Sequence, residues 1–521
     1  MMRIPSVLTC LLALLLCAGS AATAQVGAQP QPAPAPAGSP AGPGQSAATP
    51  TLRVYVTRVV LDVVVTDAKG NVVPGLTKDD FTVTDADEPQ TVTSFDTSVA
   101  HMAKPELTIN STADLDRLAP DAPVNIILLD EFNTLFEDMA FARYSLKKYL
   151  ETQPDKLTMP TMMLAVGIDK FQVLNDYTQN KQALLDALDH HFVAYPWRNE
   201  GNSWAPERLG TAFGTLERVA EATIGHPGHK NMIWIGRGFP SINMSGVPVD
   251  SANRIESYVQ QCVNMLRDAR ITLYAIDPAG LVVDPAAKYG VEAAFLDPFG
   301  GNYNFARLAR ATGGKSIYGR NDVDAQIDTG ARDGANFYTL TYRPTTGAMD
   351  PQKFRKIAVT VNRPGLTATT RVGYFVSRGP GRVNPANPSR QLMFDVNSAA
   401  TSTMEYDAVP LTATQDPKDP ATFLVHIDAK ALFWTFATDT EPRHADFVLA
   451  WTTFDKKGKV VKEVAKVAKV PAPASVPPKG RIELPIAIPV KIERSDKTVR
   501  VRFLVRISAT GREGTADVAL Q

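Results

Sequence analysis

From residue 124 onward the chain alternates between two patterns. Val124-Asn125-Ile126-Ile127-Leu128-Leu129 is an almost unbroken apolar run ending at Asp130, and similar runs recur at Thr161 to Val166, Met232 to Ile235 and Ile271 to Ile276. Runs that are apolar on both faces suit parallel strands covered by helices on each side. Between them, Leu146 to Leu150, Leu184 to Phe192, Phe213 to Thr223 and Ile255 to Ala269 repeat apolar positions at helical spacing. Strand–helix alternation over residues 121–334 predicts a Rossmann-like, doubly wound α/β sheet with right-handed crossovers.

On either side the pattern has a period of two. Leu52 to Val65 alternates, with Val54, Val56, Val63 and Val65 facing inward, followed by a turn at Ala68-Lys69-Gly70-Asn71 and strands at Phe81 to Thr84 and Thr91 to Phe95. Alternation returns at Phe337 to Tyr342, Ile357 to Val361 and Thr367 to Phe375. Each set alone is thin for a closed sandwich. Residues 51–120 and 335–377 are therefore expected to share one β-sandwich flanking the α/β domain, which pairs edges otherwise left open. Residues 395–521 form a second all-β region with turns at Pro417, Asp439, Gly458 and Gly511, divided by a proline-rich stretch from Pro471. An immunoglobulin-like sandwich is the expectation there.

Composition changes this picture mainly at the N-terminus. Arg3, the apolar run Val7 to Ala18 and the small residues Ala22-Thr23-Ala24 read as a signal peptide over 1–24, implying export to the periplasm or beyond. Leu16 before Cys17 argues against a lipoprotein signal. Residues 25–50 are a flexible Pro/Ala-rich linker. No later stretch reaches the ~18 apolar residues of a transmembrane helix. Lys+Arg and Asp+Glu each number 54, so no net field draws in nucleic acid. Past the signal segment Cys262 is alone, on the apolar face of a helical pattern, and is read as a buried core residue.

Certain blocks have a familiar order. Asp62-Val63-Val64-Val65-Thr66-Asp67 with Gly70, then Val73-Pro74-Gly75-Leu76-Thr77-Lys78-Asp79-Asp80-Phe81, resembles the opening of the acidobacterial VWFA-related domain family. Pro227-Gly228-His229-Lys230-Asn231, Ala311-Thr312-Gly313-Gly314, Tyr338-Thr339-Leu340-Thr341-Tyr342 and Gly373-Tyr374 continue the resemblance, which covers residues 52–377. It implies a von Willebrand factor A-like fold and export, and leaves activity open.

Such domains usually hold Mg²⁺ at the C-terminal edge of the sheet, using an Asp-x-Ser-x-Ser loop, a Thr from a later loop and an Asp after the fourth strand. Here the loop reads Asp130-Glu131-Phe132-Asn133-Thr134, and Arg237 stands where the later Asp belongs. The reading is a degenerate site. Asp130 and Thr134 are the ligands a cation would take, Glu131 and Asn133 are stand-ins, Thr211 is the candidate for the later threonine, and Arg237 is expected to pair with Asp130 in the metal's place.

Weaker signals have plainer explanations. Gly313-Gly314-Lys315-Ser316 lacks the first glycine of a phosphate-binding loop and reads as a helix C-cap. Ser145-x-x-Lys148 has no companion motif. His226 and His229, like His190-His191, are read as solvent-exposed loop histidines rather than a zinc pair. Two functions then compete: a module binding a protein or peptide partner through its top loops, and an envelope hydrolase using Asp130 and Glu131. No catalytic set of nucleophile, base and orienter is visible.

Overall fold

The computed structural model describes residues 58–167, 171–193, 205–239, 242–243, 249–280, 302–344, 354–375, 396, 399–435, 442–473, 482, 485–493, 495–508 and 511–520. The N-terminal segment through residue 57, including Val54 and Val56, the turn at Asp439 and most of the proline-rich stretch after Pro471 lie outside the described residues.

The first stretch holds β1 (Val59–Thr66), β2 (Phe81–Asp85), β3 (Glu88–Gln90), β4 (Val92–Thr97), α1 (Ser98–His101) and α2 (Thr112–Leu118). The middle runs β5 (Val124–Asp130), α3 (Phe136–Thr152), β6 (Lys156–Val166), β7 (Phe171–Asn180), α4 (Lys181–His190), α5 (Ala205–Thr223), β8 (Lys230–Ile235), β9 (Ile242–Asn243), α6 (Val249–Asp268), β10 (Ile271–Ile276), β11 (Asn302–Tyr303), α7 (Phe305–Ala311), β12 (Ser316–Ile317) and α8 (Val323–Ala335). Next come β13 (Tyr338–Tyr342), β14 (Phe354–Val361), β15 (Thr367–Thr369) and β16 (Gly373–Phe375). The last stretch is β17 (Leu411–Gln415), β18 (Thr422–Ile427), β19 (His444–Phe454), β20 (Val460–Pro471), β21 (Ile486–Lys491), β22 (Arg500–Ile507) and β23 (Glu513–Ala519).

The apolar runs do form a buried, mainly parallel sheet, in the order β12-β10-β8-β5-β6-β7. Only the β6–β7 pair is antiparallel. Successive side chains of a strand point to opposite faces. Ile126, Leu128, Met232 and Trp234 therefore pack on one face against α5, α6 and α7. Ile127, Leu129, Ile233 and Ile235 pack on the other against α3, α4 and α8. Cys262 sits fully buried on the α6 side, and burial pushes its thiol well above the ordinary range. Gly313 closes α7, with Gly314 N–H donating to the Ala309 carbonyl at 3.1 Å, so this segment is a helix end.

The flanking strands interleave. One sheet has the order β15-β1-β13-β4 and the other β16-β14-β2-β3, each drawing strands from both sides of the α/β sheet. Val63 pairs with Tyr338 and Val83 with Val359, so strands near residue 60 and near residue 340 share ladders. Leu61, Val63, Phe81, Leu340 and Tyr342 fill the space between the two sheets. Inside it Asp85, fully buried, accepts from Arg355 Nε (2.8 Å), Tyr342 Oη (2.9 Å) and Tyr374 Oη (3.0 Å). Towards the C-terminus, β17-β18-β21 and β20-β19-β22-β23 make two antiparallel sheets around Phe423, Phe447 and Phe503.

Candidate functional site

The central strand β5 delivers Asp130 to the C-terminal edge of the sheet, beside the end of β8. Its side chain is fully buried and fully engaged. Oδ1 accepts from Asn133 N (3.0 Å) and Asn133 Nδ2 (3.2 Å), and Oδ2 accepts from Trp234 Nε1 (3.0 Å) and Gly238 N (3.1 Å). A carboxylate offers about four lone-pair sites, and here each meets an N–H. Burial pushes this carboxyl up to about 7, and the four donors oppose the rise.

Two glycines allow this closure. Gly236 has φ +149, and a Cβ there would lie 2.5 Å from Asp130 Cβ and 2.6 Å from Thr134 Oγ1. Gly238 has φ +62 and abuts the Phe305 ring. Both conformations belong to glycine.

The expected Arg237–Asp130 pair is not formed. The Arg237 guanidinium donates to Asp138 Oδ2 at 3.2 Å and lies 3.9 Å from Asp277 Oδ1. It is the Arg237 main-chain N–H that meets the loop, donating to Thr134 Oγ1 at 3.3 Å. The indole of Trp234, three residues upstream, fills the role assigned to the arginine. Sequence reasoning missed it because it counted Trp234 as an apolar strand position; a buried indole N–H beside a strand-end carboxylate was the available signal.

The other loop candidates are also turned inward. Asn133 Oδ1 accepts from Arg208 Nε at 3.1 Å. Glu131 pairs with His191 Nε2 at 2.7 Å, and Arg143 lies 3.9 Å from the same oxygen. Thr211 is two turns into α5 rather than in a loop, and its carbonyl accepts from Thr215 Oγ1. A Mg²⁺ ion needs free oxygen ligands at about 2.0–2.1 Å. Asp130 and Thr134 both face N–H donors instead, so the residues present do not fit the ion that such folds usually hold. Among the described residues no group of three or more His, Cys, Asp or Glu side chains is placed to hold a metal.

Large aromatics ring this edge on the α3–α4 side. Phe136 opens α3 directly after the Asp130 loop and is 46% exposed; Phe192 follows His191 and is 83% exposed. Further along α3, Phe141 and Tyr144 are exposed as well.

At the opposite edge the histidine expectation fails. His226 and His229 are buried, because the loop before β8 is roofed by neighbouring segments. His226 Nε2 bonds the Ala122 carbonyl at 2.7 Å, and burial depresses its imidazole to about 3. His229 Nδ1 bonds Asp62 Oδ2 at 2.9 Å, while Arg270 Nη2 reaches Asp62 Oδ1 at 2.5 Å. Burial works against the Asp62 anion, yet Arg270 and His229 hold its carboxyl well below the usual range. This knot ties β1 of the sandwich to the base of the parallel sheet. Ser145 is buried in α3 and Lys148 pairs with Asp324, so that tetrad is structural.

No family model matches the sequence, and no curated protein matches it. Solved structures do. Proximal thread matrix protein 1 from the mussel byssus is 13% identical with a TM-score of 0.20, the match covering 30% of this chain and 38% of that one. The SpRpn10 VWA domain is 14% identical with a TM-score of 0.17, covering 30% and 89%. The pilus adhesin SpaC from Lactobacillus rhamnosus GG is 9% identical with a TM-score of 0.26, covering 71% and 53%. The chain thus spans less than two thirds of the mussel protein and of the adhesin. Among the described residues no helix is long and apolar enough to cross a membrane. The architecture is a mixed α/β sheet with a parallel core and several antiparallel β-sheets, one group of them C-terminal.

Proposed function

We propose that the chain is an exported binding protein related to the VWFA-related family. Its von Willebrand factor A-type domain, residues 121–334, is inserted in a sandwich of 51–120 and 335–377 and followed by an immunoglobulin-like region, 395–521. Its partner is a protein or peptide, met in the periplasm or outside the cell at the C-terminal edge of the α/β sheet without a bridging cation.

The observation that carries this reading is the exposure of Phe136 and Phe192 beside a loop whose own polar groups are turned inward. Exposed aromatics on a rigid edge are the usual anchors of protein interfaces. Asp130 and Glu131, the carboxylates a hydrolase would use, are buried and already bonded. Asn133 and Arg237 brace the loop through Arg208 and Asp138.

The test immobilises the chain and measures capture of envelope proteins in millimolar Mg²⁺ and in EDTA, beside a Phe136→Ser/Phe192→Ser variant. Capture should be equal in both buffers and fall at least about tenfold in the variant, a loss of about 1.4 kcal/mol. Loss of capture in EDTA would overturn the cation-free reading. Full capture by the variant would overturn the assigned edge.

A further inference from the structure

At the N-terminal edge of the parallel sheet, the loop before β8 meets the end of α2 and the segment leading into β17. A cleft of about 950 Å³ opens between them. Its lining has two characters. Pro227, Val409 and Leu411 contribute apolar wall, whereas Asp116, Glu405, Asp407 and Asp428 contribute carboxylates against the single ammonium of Lys430. Asp407 is the informative group. Its Oδ1 is enclosed and receives no well-aligned hydrogen bond, and the main-chain N–H groups of Gly225 and of Asp407 itself only partly offset its burial. An enclosed carboxylate oxygen so poorly satisfied costs folding free energy, so its retention calls for a reason.

The neighbouring charges increase that cost. Burial pushes Asp407 up to about 7, with repulsion from Asp116 adding to the rise. Partial desolvation of this otherwise exposed carboxyl, with repulsion from Asp176, pushes Asp116 up to about 6. Burial raises Glu405 too, again with Asp176 adding to the rise. The buried Lys230 ammonium attracts Asp407, but two of its three donors go to the carbonyls of His226 and Gly228. The site therefore gathers carboxyl groups whose charged form lacks enough counter-charge, in a concave, partly apolar setting.

We propose that this cleft binds an organic cation on an alkyl stem, a lysine- or arginine-like group. Asp407 and Asp116 take the charged head, and the proline and aliphatic wall takes the stem. A bare metal ion suits the cleft less well, because it needs oxygens converging within about 2.0–2.6 Å. Among the described residues no such set converges. The cleft has the size of sites for ligands of several hundred Å³, roughly 300–1,000 Å³. Long cationic side chains also commonly lay their stems on apolar surface while the head seeks a counter-charge.

The experiment titrates the purified chain calorimetrically with Nα-acetyl-lysine methylamide and with the uncharged Nα-acetyl-norleucine methylamide. The lysine probe should saturate and the norleucine probe should not. Asp116→Asn and Asp407→Asn should each weaken the lysine probe at least about tenfold. If Asp407→Asn fails to fold, Asp116→Asn carries the test, since Asp116 sits on an exposed helix end. Equal binding of both probes, unchanged binding in the variants, or no saturable binding would each overturn the proposal. Cadaverine and a Gly-Lys-Gly peptide then separate the sources: tighter cadaverine indicates a free amine, and a tighter peptide a partner's side chain. Both variants lie on the far edge from Phe192, so they should leave envelope capture unchanged, keeping this proposal separable from the assigned function.

Discussion

Replacing Asp130 by Asn tests whether the strand-end carboxyl is an acid held by burial or an anion held by its four donors. The substitution keeps shape and one acceptor, but its NH₂ must face either the Asn133 pair or the Trp234 and Gly238 pair of N–H groups. Two buried donors then lack an acceptor, at about 1–3 kcal/mol each. The pH dependence is the sharper observable. Burial raises the carboxyl from 3.8 to about 7. A group whose folded pKa is raised gives stability that is complete below its unfolded pKa and lost as pH climbs through its folded pKa. At about 1.4 kcal/mol per unit, the rise corresponds to roughly 4 kcal/mol. The asparagine cannot titrate, so the wild-type advantage should be large at about pH 5 and shrink by about 2–3 kcal/mol at about pH 8. Urea unfolding of both proteins at the two pH values reads this directly. Taking the difference cancels other titrating groups such as Asp62, whose depressed pKa acts in the opposite sense. A gap that stays constant or widens with pH would refute the reasoning and show that the four N–H donors outweigh burial.

Four further outcomes follow from the packing. Asp62→Ala strands the Arg270 guanidinium and the His229 ring in a closed setting, and thermal or urea unfolding should show a loss of about 3–5 kcal/mol; a loss under about 1 kcal/mol would contradict the knot. Gly236→Ala places a methyl 2.5 Å from Asp130 Cβ and should cost about 1–3 kcal/mol. Gly210→Ala in α5, where a methyl meets nothing within 4 Å, should instead gain about 0.4–1 kcal/mol in the same assay. Cys262, fully buried with a raised thiol pKa, should react with a thiol reagent only at the rate of unfolding, so rapid labelling of native protein would refute its placement.

The parallel core was legible because four strands buried on both faces leave unmistakable apolar runs. The edge strand β7 was not, because Gln172, Asn175, Asp176 and Gln179 break its run. Its outer positions are half-buried, and polar residues are tolerated there. The sharing of ladders by β1 and β13 followed from counting strands, since neither segment had enough to close a sheet. The base of the molecule depends on distances along the chain that no local pattern reports. Asp62 meets His229 across 167 positions and Arg270 across 208. At the top, the sequence located Asp130 at a strand end but named the wrong partner for it. Asp138 sits in the first turn of α3 and captures Arg237 first, which leaves the carboxylate to an indole already fixed in the core. The acidic cleft was invisible for a related reason: α2, the loop before β8 and residues 405–428 meet only in three dimensions.

The interleaved sandwich has a mechanical corollary. The polypeptide enters the α/β part after β4 and leaves it into β13, and these two strands are hydrogen-bonded neighbours. Tension applied between β1 and β16 therefore reaches the antiparallel β1–β13, β1–β15 and β14–β16 ladders before any strand of the parallel sheet is pulled. The sandwich acts as a clamp across the root of the α/β part, so tension between β1 and β16 would leave the Asp130 edge unloaded until that clamp opened.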